Sequence, residues 1–164
     1  MYEIEVTAEF AAAHAILIGG EPEPLHGHNW HVTATLAGAA LDGDGLLCDF
    51  HVVERSLQTL VGRWHNRNLN EVEPFSKGGA GGGALTLNPT AEIVARSIAE
   101  GLSADLKGVL AESPRSPMPG RAAIDMNDRR PWLVSVRITE APGCAATYYL
   151  PGAGRPTPSR PQEQ

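Results

Sequence analysis

The sequence has little cysteine and no cluster of basic residues. Its 164 residues include two cysteines, Cys48 and Cys144, which are too few for a disulfide scaffold and lack metal-ligand spacing, so we expect reduced, packed thiols. The formal net charge is −6, and no run of lysine or arginine occurs. This balance argues against nucleic acid or an anionic membrane as the main partner, and a small molecule is expected instead.

Long apolar runs are also absent. No segment approaches the roughly 18 consecutive apolar residues of a membrane span. The N-terminal residues, from Met1 to Glu5, lack the basic start and the apolar centre of a signal peptide. We therefore expect a soluble, cytoplasmic protein without a membrane partner, long enough to bury a real core in one domain.

Alternation of apolar and polar residues predicts four strands. From Tyr2 to Phe10 every second residue is apolar, which is typical of a strand with one buried face. The alternation resumes from Trp30 to Leu36 and predicts a second strand that pairs antiparallel with the first. Two further strands are predicted from Trp132 to Glu140 and from Ala145 to Leu150.

Two helices are predicted between the second and third strands. Asp49 is well placed to cap the first helix, whose apolar residues recur at helical spacing to about residue 64. The second helix is expected to open at Pro89, with Thr90 or Asn88 as its cap.

The remaining segments carry turn-forming residues. Residues 76–86 and 113–130 are expected to be irregular insertions, and residues 153–164 a disordered tail. The sequence therefore predicts an α+β fold in which residues 1–152 form one domain, an antiparallel four-stranded sheet with two helices on one face.

Three histidines near the N-terminus suggest a metal site. His26 and His28 flank Gly27 in an extended segment, so their side chains share a face, and His14 upstream is the expected third ligand. Three neutral imidazoles with a fourth position left to water or substrate are typical of a catalytic zinc site. A His-x-His pair also occurs as surface decoration, and His31, which faces away from His28, is expected to be structural or superficial.

An ordered set of short motifs resembles the 6-pyruvoyl-tetrahydropterin synthases and the related 6-carboxytetrahydropterin synthases. The resemblance spans about residues 2 to 150. No single motif is decisive, but the ordered set is specific. The motifs are Phe10–His14, His26–Trp30, Leu47–Phe50, Asn68–Asn70, Pro89–Glu92 and Thr139–Glu140.

The resemblance implies a fold, an assembly and a cofactor. It implies the tunnelling fold, in which several subunits form a barrel with sites between subunits, and we expect a homo-hexamer by analogy. It also matches His14, His26 and His28 to the zinc ligands of the family, so Zn²⁺ is the expected cofactor.

The resemblance also implies a site for a pterin-like substrate. Thr90 and Ala91 match backbone positions that border the pterin. Glu140 matches a carboxylate that anchors the amino-pyrimidine edge, a sensible pairing because a carboxylate can accept two N–H donors side by side. Without the family, Glu140 is equally well explained as a solvated acid at a strand end.

The chain departs from the family pattern at the catalytic cysteine. Family members carry Cys four residues before the first His of the His-Gly-His motif, and this chain has Pro22 there. A subset best described from malaria parasites instead has Glu three residues before that His, and Glu23 holds this place. That subset makes 6-hydroxymethyl-dihydropterin from dihydroneopterin by side-chain cleavage. Glu23 is therefore expected to act as a general acid or base, although without the metal it would be only a loop acid.

The Asp-His pair that assists proton transfer in the family is altered too. When the chain is aligned on Leu69 and Asn70, the family Asp falls on His65 and the family His on Asn66. His65 is the expected proton relay, because imidazole titrates near neutral pH. Alternatively, His65 caps the last carbonyl groups of the first helix.

Two functions are therefore predicted. The first is a zinc-dependent lyase that cleaves or rearranges the polyhydroxylated side chain of a dihydropterin, such as dihydroneopterin or its phosphate. The second is a family member diverted to another heterocyclic or secondary-metabolite substrate, or one that binds pterin without turning it over. Glu23 favours retained catalysis, whereas the lost Cys and the lost Asp-His pair favour diversion.

Overall fold

Two long strands form the centre of the sheet. The computed structural model describes residues 1–77, 84–111 and 130–153. The predicted order of two strands, two helices and two strands is confirmed, with short strands added in the connections. In chain order the elements are β1 (Tyr2–His14), β2 (Leu17–Ile18), β3 (Glu21–Pro22), β4 (His26–Gly38), α1 (Phe50–Gly62), β5 (Arg67–Asn68), a 3-10 turn (Leu69–Glu71), β6 (Ser76–Lys77), β7 (Ala84–Leu85), α2 (Ala91–Ala111), β8 (Trp132–Ala141) and β9 (Cys144–Tyr149).

The main sheet has the strand order β5-β1-β4-β8-β9. The neighbours β1 and β4, β4 and β8, and β8 and β9 pair antiparallel. The two-residue β5 pairs parallel with β1 at one edge and makes the sheet mixed. The predicted α+β class and the antiparallel pairing of the first two strands are confirmed.

One face of the sheet packs against both helices. Every second residue of the central strands is buried on this face, as the alternation predicted, and burial of each large apolar side chain contributes about 1.5–3 kcal/mol. The helices contribute apolar stripes at helical spacing. The buried residues include Val6, Ala8 and Phe10 from β1, Trp30, Val32, Ala34 and Leu36 from β4, Val53, Leu57 and Val61 from α1, and Ile98, Leu102 and Leu106 from α2.

Three local expectations need correction. β1 does not stop before His14, because its pairing with β4 continues to the end of the strand. Phe50 is 48% exposed and does not join the buried stripe of α1. Pro89 lies outside α2, which begins at Ala91 after the Thr90 carbonyl accepts the first helical hydrogen bond, from the Val94 amide.

Several expected irregular segments lie partly or wholly outside the described residues. Residues 78–83, 112–129 and 154–164 are not described, so the predicted tail and most of the two insertions stay predictions. The described ends of the first insertion pair as β6 and β7. None of the described helices is long and apolar enough to cross a membrane.

Asp49 caps α1 as predicted. Its carboxylate accepts hydrogen bonds from the backbone amide and from Nδ1 of His51, each at 2.9 Å. The side-chain bond to His51, and after it the backbone bond, lower the pKa of Asp49 below its usual value. A carboxylate with a lowered pKa stabilises the fold above its unfolded-state pKa, and this contribution disappears as the pH falls through the folded-state pKa.

We therefore predict that Asp49→Ala lowers the thermal unfolding midpoint by a few degrees near neutral pH, the scale of one lost N-cap in a chain of this size. The difference from the parent should shrink as the medium is acidified below the usual carboxyl range. Thermal unfolding followed by circular dichroism across the acid range measures both effects. Asp105→Ala, an exposed carboxylate in the interior of α2, is the matched control. A difference that does not change with pH would contradict the prediction.

Candidate metal centre and cleft

The three predicted histidines converge at one end of the two central strands. The β1–β4 register places His14 opposite His26 and Ala12 opposite His28, so the three imidazoles lie on the helix-covered face. Their ring centroids are 4.7, 4.8 and 5.3 Å apart, with steep angles between the rings. Imidazoles bound to one tetrahedral ion through nitrogens at about 2.0–2.1 Å have centroids about 5 Å apart. The three rings therefore have the spacing of ligands around a single ion.

Backbone carbonyls fix which nitrogen of two imidazoles faces this point. Nδ1 of His14 donates to the Pro89 carbonyl at 2.8 Å, and Nδ1 of His26 donates to the Pro24 carbonyl at 2.9 Å. A carbonyl oxygen can only accept, so Nδ1 carries the hydrogen and Nε2 carries the lone pair. Metal-bound histidines are oriented in this way by a hydrogen-bond acceptor on the opposite nitrogen. These two proline carbonyls could not be predicted from the sequence, because no motif encodes a backbone carbonyl partner.

Two of the nitrogens that face this point lack hydrogen-bond partners. Nε2 of His14 and Nε2 of His28 are buried and unpaired. Oε1 of Glu140 approaches them to 2.9 and 3.2 Å, but in directions that do not make hydrogen bonds. In neutral His14 the hydrogen is on Nδ1, so two atoms that can only accept, Nε2 and Oε1, lie 2.9 Å apart. Such a contact is favourable with a cation between the atoms, and the donor set fits a divalent metal ion.

The cluster is completed by the carboxylate of Glu140. One ligand atom each from His14, His26, His28 and Glu140 lies within 4.8 Å of all the others. Burial lowers the pKa of His28, and the nearby His14 and His26 lower it further, whereas Glu140 and Glu23 act in the opposite direction. Because only a neutral imidazole binds a metal, a lowered pKa favours the ligand form of His28.

Trp30 supports the imidazoles from the core side. Its indole is fully buried, donates from Nε1 to the Ala12 carbonyl at 3.1 Å, and meets the rings of His14 and His28 edge-on at 4.8 and 5.6 Å. Trp30 also stacks on Phe10 at 5.8 Å. The ligands on the two strands are therefore held by packing as well as by the sheet.

Two asparagines clamp the chain that leaves His14. The amide of Asn70 accepts from the Ala15 amide at 2.8 Å and donates to its carbonyl at 2.7 Å. Asn88 makes the same pair of hydrogen bonds to Leu17, both at 2.9 Å. Asn88 therefore does not cap α2, and Thr90 makes the weaker capping contact, accepting from the Ile93 amide at 3.4 Å. Asn70 was part of a motif in the sequence, but the motif did not indicate its hydrogen bonds to the Ala15 backbone.

A cleft of about 500 Å³ opens beside the cluster. Its walls come from the end of β1, the first turn of α2 and the turn between β8 and β9. The structure thus brings Thr90, Ala91 and Glu140, the three expected substrate-binding residues, to one cleft together with His14. The lining residues are His14, Ile16, Thr90, Ala91, Glu92, Glu140, Gly143, Cys144, Ala145 and Ala146.

Glu23 lies next to the cluster but is not one of its four groups. It follows the β2–β3 hairpin, and its Oε1 accepts from the Ile16 amide at 3.2 Å. The same oxygen is 3.7 Å from Nδ1 of His26, on the side of that ring opposite its lone pair. Glu23 is 26% exposed, so its carboxylate lies close to His26 and is also accessible to solvent.

His65 is farther from the cluster. Its Nδ1 accepts from the Ala11 amide at 3.3 Å, so this contact ties the turn after α1 to β1 and does not cap the helix. Ala11 precedes His14 by three residues, which is about 10 Å along a strand. His65 is not one of the four clustered groups. Asn66 follows with a positive φ of 57°, a conformation that asparagine tolerates well.

The other polar candidates are placed away from the imidazole cluster. His31 is on the opposite face of β4, paired with Glu9 at 2.8 Å and 54% exposed, as expected for a superficial histidine. Cys48 is buried, whereas Cys144 is exposed in the cleft, so the expectation of two packed thiols holds only for Cys48.

A larger cavity of about 790 Å³ lies at the far end of α2, beside Leu106 and Tyr148. It contains none of the four clustered groups.

The fold and the site define a protein with a cleft beside a cluster of three histidines and a glutamate that could hold a metal ion. A family model described as 6-pyruvoyl tetrahydropterin synthase matches residues 3–151. The chain therefore belongs to the 6-pyruvoyl tetrahydropterin synthase family, and the resemblance seen in its motifs is confirmed.

Individual relatives agree with this assignment. The chain is 27% identical over 149 residues to 6-carboxy-5,6,7,8-tetrahydropterin synthase of Bacillus subtilis (strain 168), an alignment that covers 90% of this chain and 84% of the relative. The 6-pyruvoyl tetrahydropterin synthase of Caenorhabditis elegans superposes with a TM-score of 0.64 at 21% identity, covering 92% of this chain and 96% of the other.

A parasite enzyme is similar in structure as well. A Plasmodium vivax 6-pyruvoyltetrahydropterin synthase, described as a catalytic-residue mutant with glutamate replaced by alanine, superposes with a TM-score of 0.59 at 17% identity. The superposition covers 92% of this chain and 99% of the other. At these identities the two structural likenesses show a shared fold.

Proposed function

We propose that this chain is a zinc-dependent lyase that cleaves or rearranges the polyhydroxylated side chain of a dihydropterin, such as dihydroneopterin or its phosphate. The observation that carries the proposal is the convergence of three imidazoles, two with buried unpaired Nε2 atoms, beside a cleft that also contains Glu140. Family membership supports a pterin-like substrate.

His14, His26 and His28 would hold the ion. The Pro89 and Pro24 carbonyls keep His14 and His26 in the tautomer that leaves Nε2 free to bind it. A bound zinc ion would polarise a hydroxyl or carbonyl group of the substrate side chain as a Lewis acid. His14 and Glu140 belong both to the cluster and to the cleft, so the side chain of a pterin bound in the cleft would reach the ion.

The rest of the cleft would bind the ring. Glu140 would accept two adjacent N–H donors of the amino-pyrimidine edge, and the backbone of Thr90 and Ala91 would border the ring at the start of α2. The cleft volume of about 500 Å³ is within the range of small-molecule sites.

Glu23 would transfer the proton. It stands where the parasite-type subset has its glutamate, and the Plasmodium vivax relative is described with a catalytic glutamate. The flanking Pro22 and Pro24 restrict the backbone, and the hydrogen bond from the Ile16 amide holds the carboxylate beside His26.

The test combines metal analysis with product identification. Protein purified without chelators should contain about one zinc per subunit. Incubation with dihydroneopterin and with its triphosphate, followed by mass spectrometry, should give a product with a shortened or rearranged side chain. Zinc at full occupancy without any pterin product would contradict the lyase proposal.

A diverted substrate is the second candidate function. Pro22 replaces the family cysteine, and the Asp-His pair is replaced by His65 and Asn66. The absence of His65 from the four clustered groups also favours this candidate. A panel of other bicyclic heterocycles in the same mass-spectrometric test would discriminate between the candidates, because only a diverted enzyme would convert one of them and leave dihydroneopterin unchanged.

His65→Ala is predicted to lower kcat less than loss of Glu23 does. His65 is exposed and contacts Ala11, so water can replace it as a proton relay. We expect a loss of about tenfold or less, below the usual scale of a positioned acid or base. Steady-state kinetics with dihydroneopterin measure the loss, and His51→Ala, an exposed histidine on α1, is the matched control. A loss of a hundredfold would instead make His65 an essential acid or base.

The protein is predicted to form a ring-shaped homo-oligomer, a hexamer by analogy with the family. Exposed strand edges must be covered or paired, and β9 ends the sheet on one side. Leu17, Ile18 and Leu25 around the β2–β3 hairpin are also 42, 64 and 59% exposed, which is typical of a surface that a partner covers. Sedimentation velocity should give the mass of six subunits. A monomer at micromolar concentration would rule out the ring.

A further inference from the structure

Within one subunit, the β2–β3 hairpin has little packing to hold it in place. Its two strands form two residue pairs, and all four paired residues are exposed. A two-stranded hairpin is at best marginally stable in water, and one with two pairs is weaker still. The position of the hairpin, and of Glu23 directly after it, therefore depends on the hydrogen bonds at its base.

Ile16 binds Glu23 at two points. The backbone amide of Glu23 donates to the Ile16 carbonyl at 3.0 Å, and the Ile16 amide donates to Oε1 of Glu23 at 3.2 Å. Both the backbone and the carboxylate of Glu23 consequently follow any movement of Ile16. The location of the carboxylate is therefore set by whatever holds the backbone on either side of Ile16.

The two asparagine clamps hold that backbone. Asn70 makes its pair of hydrogen bonds to Ala15, on the side of the histidine cluster. Asn88 makes its pair to Leu17, on the hairpin side of Ile16. The Asn88 clamp is therefore the one that holds the hairpin end of this backbone.

Asn88 belongs to the segment that borders the cleft. Its carbonyl accepts from the Thr90 amide at 2.8 Å, and Thr90 lines the cleft. Between them, the Pro89 carbonyl accepts from Nδ1 of His14. The three consecutive residues 88–90 thus contact the hairpin, the proposed metal ligand and the cleft in turn. Through Asn88, the hairpin is tied to the wall of the cleft as well as to the end of β1.

We propose that Asn88 is a positioning residue for Glu23. By clamping Leu17, it fixes the connection that carries the proposed acid or base relative to the segment where the substrate would lie. This inference rests on the proposed function. Without the Asn88 side chain, Glu23 keeps its two hydrogen bonds to Ile16, but the bonded pair moves away from the cleft wall for part of the time. The carboxylate then spends less time within reach of the substrate.

Hydrogen exchange of the free protein tests the clamp. In Asn88→Ala, the Leu17 and Ile16 amides should exchange faster than in the parent by on the order of tenfold, since two hydrogen bonds that oppose local opening are lost. Mass spectrometry with fragmentation to single residues measures both rates in the peptide that contains residues 15–25.

The variants are chosen to keep the fold. The hydrogen bonds between Asn88 and Leu17 are exposed, so water can satisfy the Leu17 backbone in Asn88→Ala. If the alanine variant does not fold, Asn88→Asp takes its place in every measurement, because it keeps the bond from the Leu17 amide and loses the one to the carbonyl. Thr86→Ala is the matched control, since it removes another exposed side-chain-to-backbone hydrogen bond from the same approach to α2 and should change neither rate. Circular dichroism and zinc content establish that each variant is folded and loaded.

A double-mutant cycle with Glu23→Gln tests whether Asn88 acts through Glu23. Asn88→Ala alone should lower kcat with dihydroneopterin about tenfold, a smaller loss than that of Glu23→Gln, and leave KM within about twofold of the parent. In the Glu23→Gln background, the same substitution should cause no further loss, because the group that it positions is already gone. Damage to the cleft itself would instead lower kcat equally in both backgrounds.

The clamp and its link to Glu23 can fail separately. Parent-like exchange of Leu17 and Ile16 in Asn88→Ala overturns the clamp, whether or not the chain is a lyase. Faster exchange with equal losses of kcat in both backgrounds overturns the link to Glu23. If the parent does not convert dihydroneopterin, the proposed function fails, and the exchange rate of the Ile16 amide, the partner of the Glu23 carboxylate, still decides whether Asn88 holds Glu23 in place.

Discussion

Glu23→Gln should retain its metal and its fold and lose kcat with dihydroneopterin by on the order of 10²-fold or more, about 2.7 kcal/mol in activation free energy. The substitution removes the charge and keeps the shape. The amide oxygen of glutamine can still accept from the Ile16 amide, so the hairpin connection should keep its structure. Only the capacity to take up and release a proton is lost. Single-turnover measurement of product formation separates this loss from any change in product release.

Glu21→Gln is the matched control for this experiment. Glu21 lies two residues earlier in β3 and is exposed, so its change alters the local charge equally and should leave kcat at the parent value. If Glu23→Gln turned over substrate at the parent rate, the lyase mechanism would be wrong and the diverted-substrate candidate would take its place. Alkylation of the exposed Cys144 provides a separate check, because full activity afterwards would exclude this thiol as the base.

His26→Ala should abolish stable metal binding. Zinc content after dialysis should fall from about one per subunit to nearly none, because two imidazoles hold zinc far less tightly than three. His26 is 39% exposed, so its removal should cost the fold little. Elemental analysis of the dialysed protein, with unfolding curves recorded on the same sample, measures both quantities.

His31→Ala is the control for the metal experiment. His31 is on the same strand but on the opposite face, where it pairs with Glu9. It should keep a full equivalent of zinc. A fully loaded His26→Ala protein would show that the three-histidine site is not the metal site.

The histidine cluster could be predicted because both of its strands follow simple rules. Alternation along β1 and β4 places His14, His26 and His28 on the buried face, and the antiparallel register then brings them to the same end of the sheet. The helices were predictable for a similar reason, since the cap at Asp49 and the apolar stripe of α1 are local patterns.

The remaining features depend on contacts that are distant in the sequence. The Pro89 carbonyl is 75 residues from His14, and the Asn88 side chain is 71 residues from the Leu17 backbone that it clamps. Local propensity favoured Asn88 as a helix cap, and the tertiary contact with Leu17 prevailed. The position of Glu140 in the cluster depends on a one-residue bulge, which no alternation pattern reveals.

Because His14 pairs opposite His26, the geometry of the histidines and the position of the proposed acid or base depend on different parts of the chain. Evolution can therefore change one without the other. The ligand geometry is fixed by the ladder on both sides of residues 15–25, so insertions, deletions and exchanges inside that connection need not disturb the ion. Glu23, the proposed acid or base, lies in the connection itself. A lineage can therefore exchange cysteine for glutamate, or move the proton-transferring group by one residue, without rebuilding its metal centre. New pterin chemistry can arise through changes in a short surface hairpin, and this connection is the natural place to vary in a designed library.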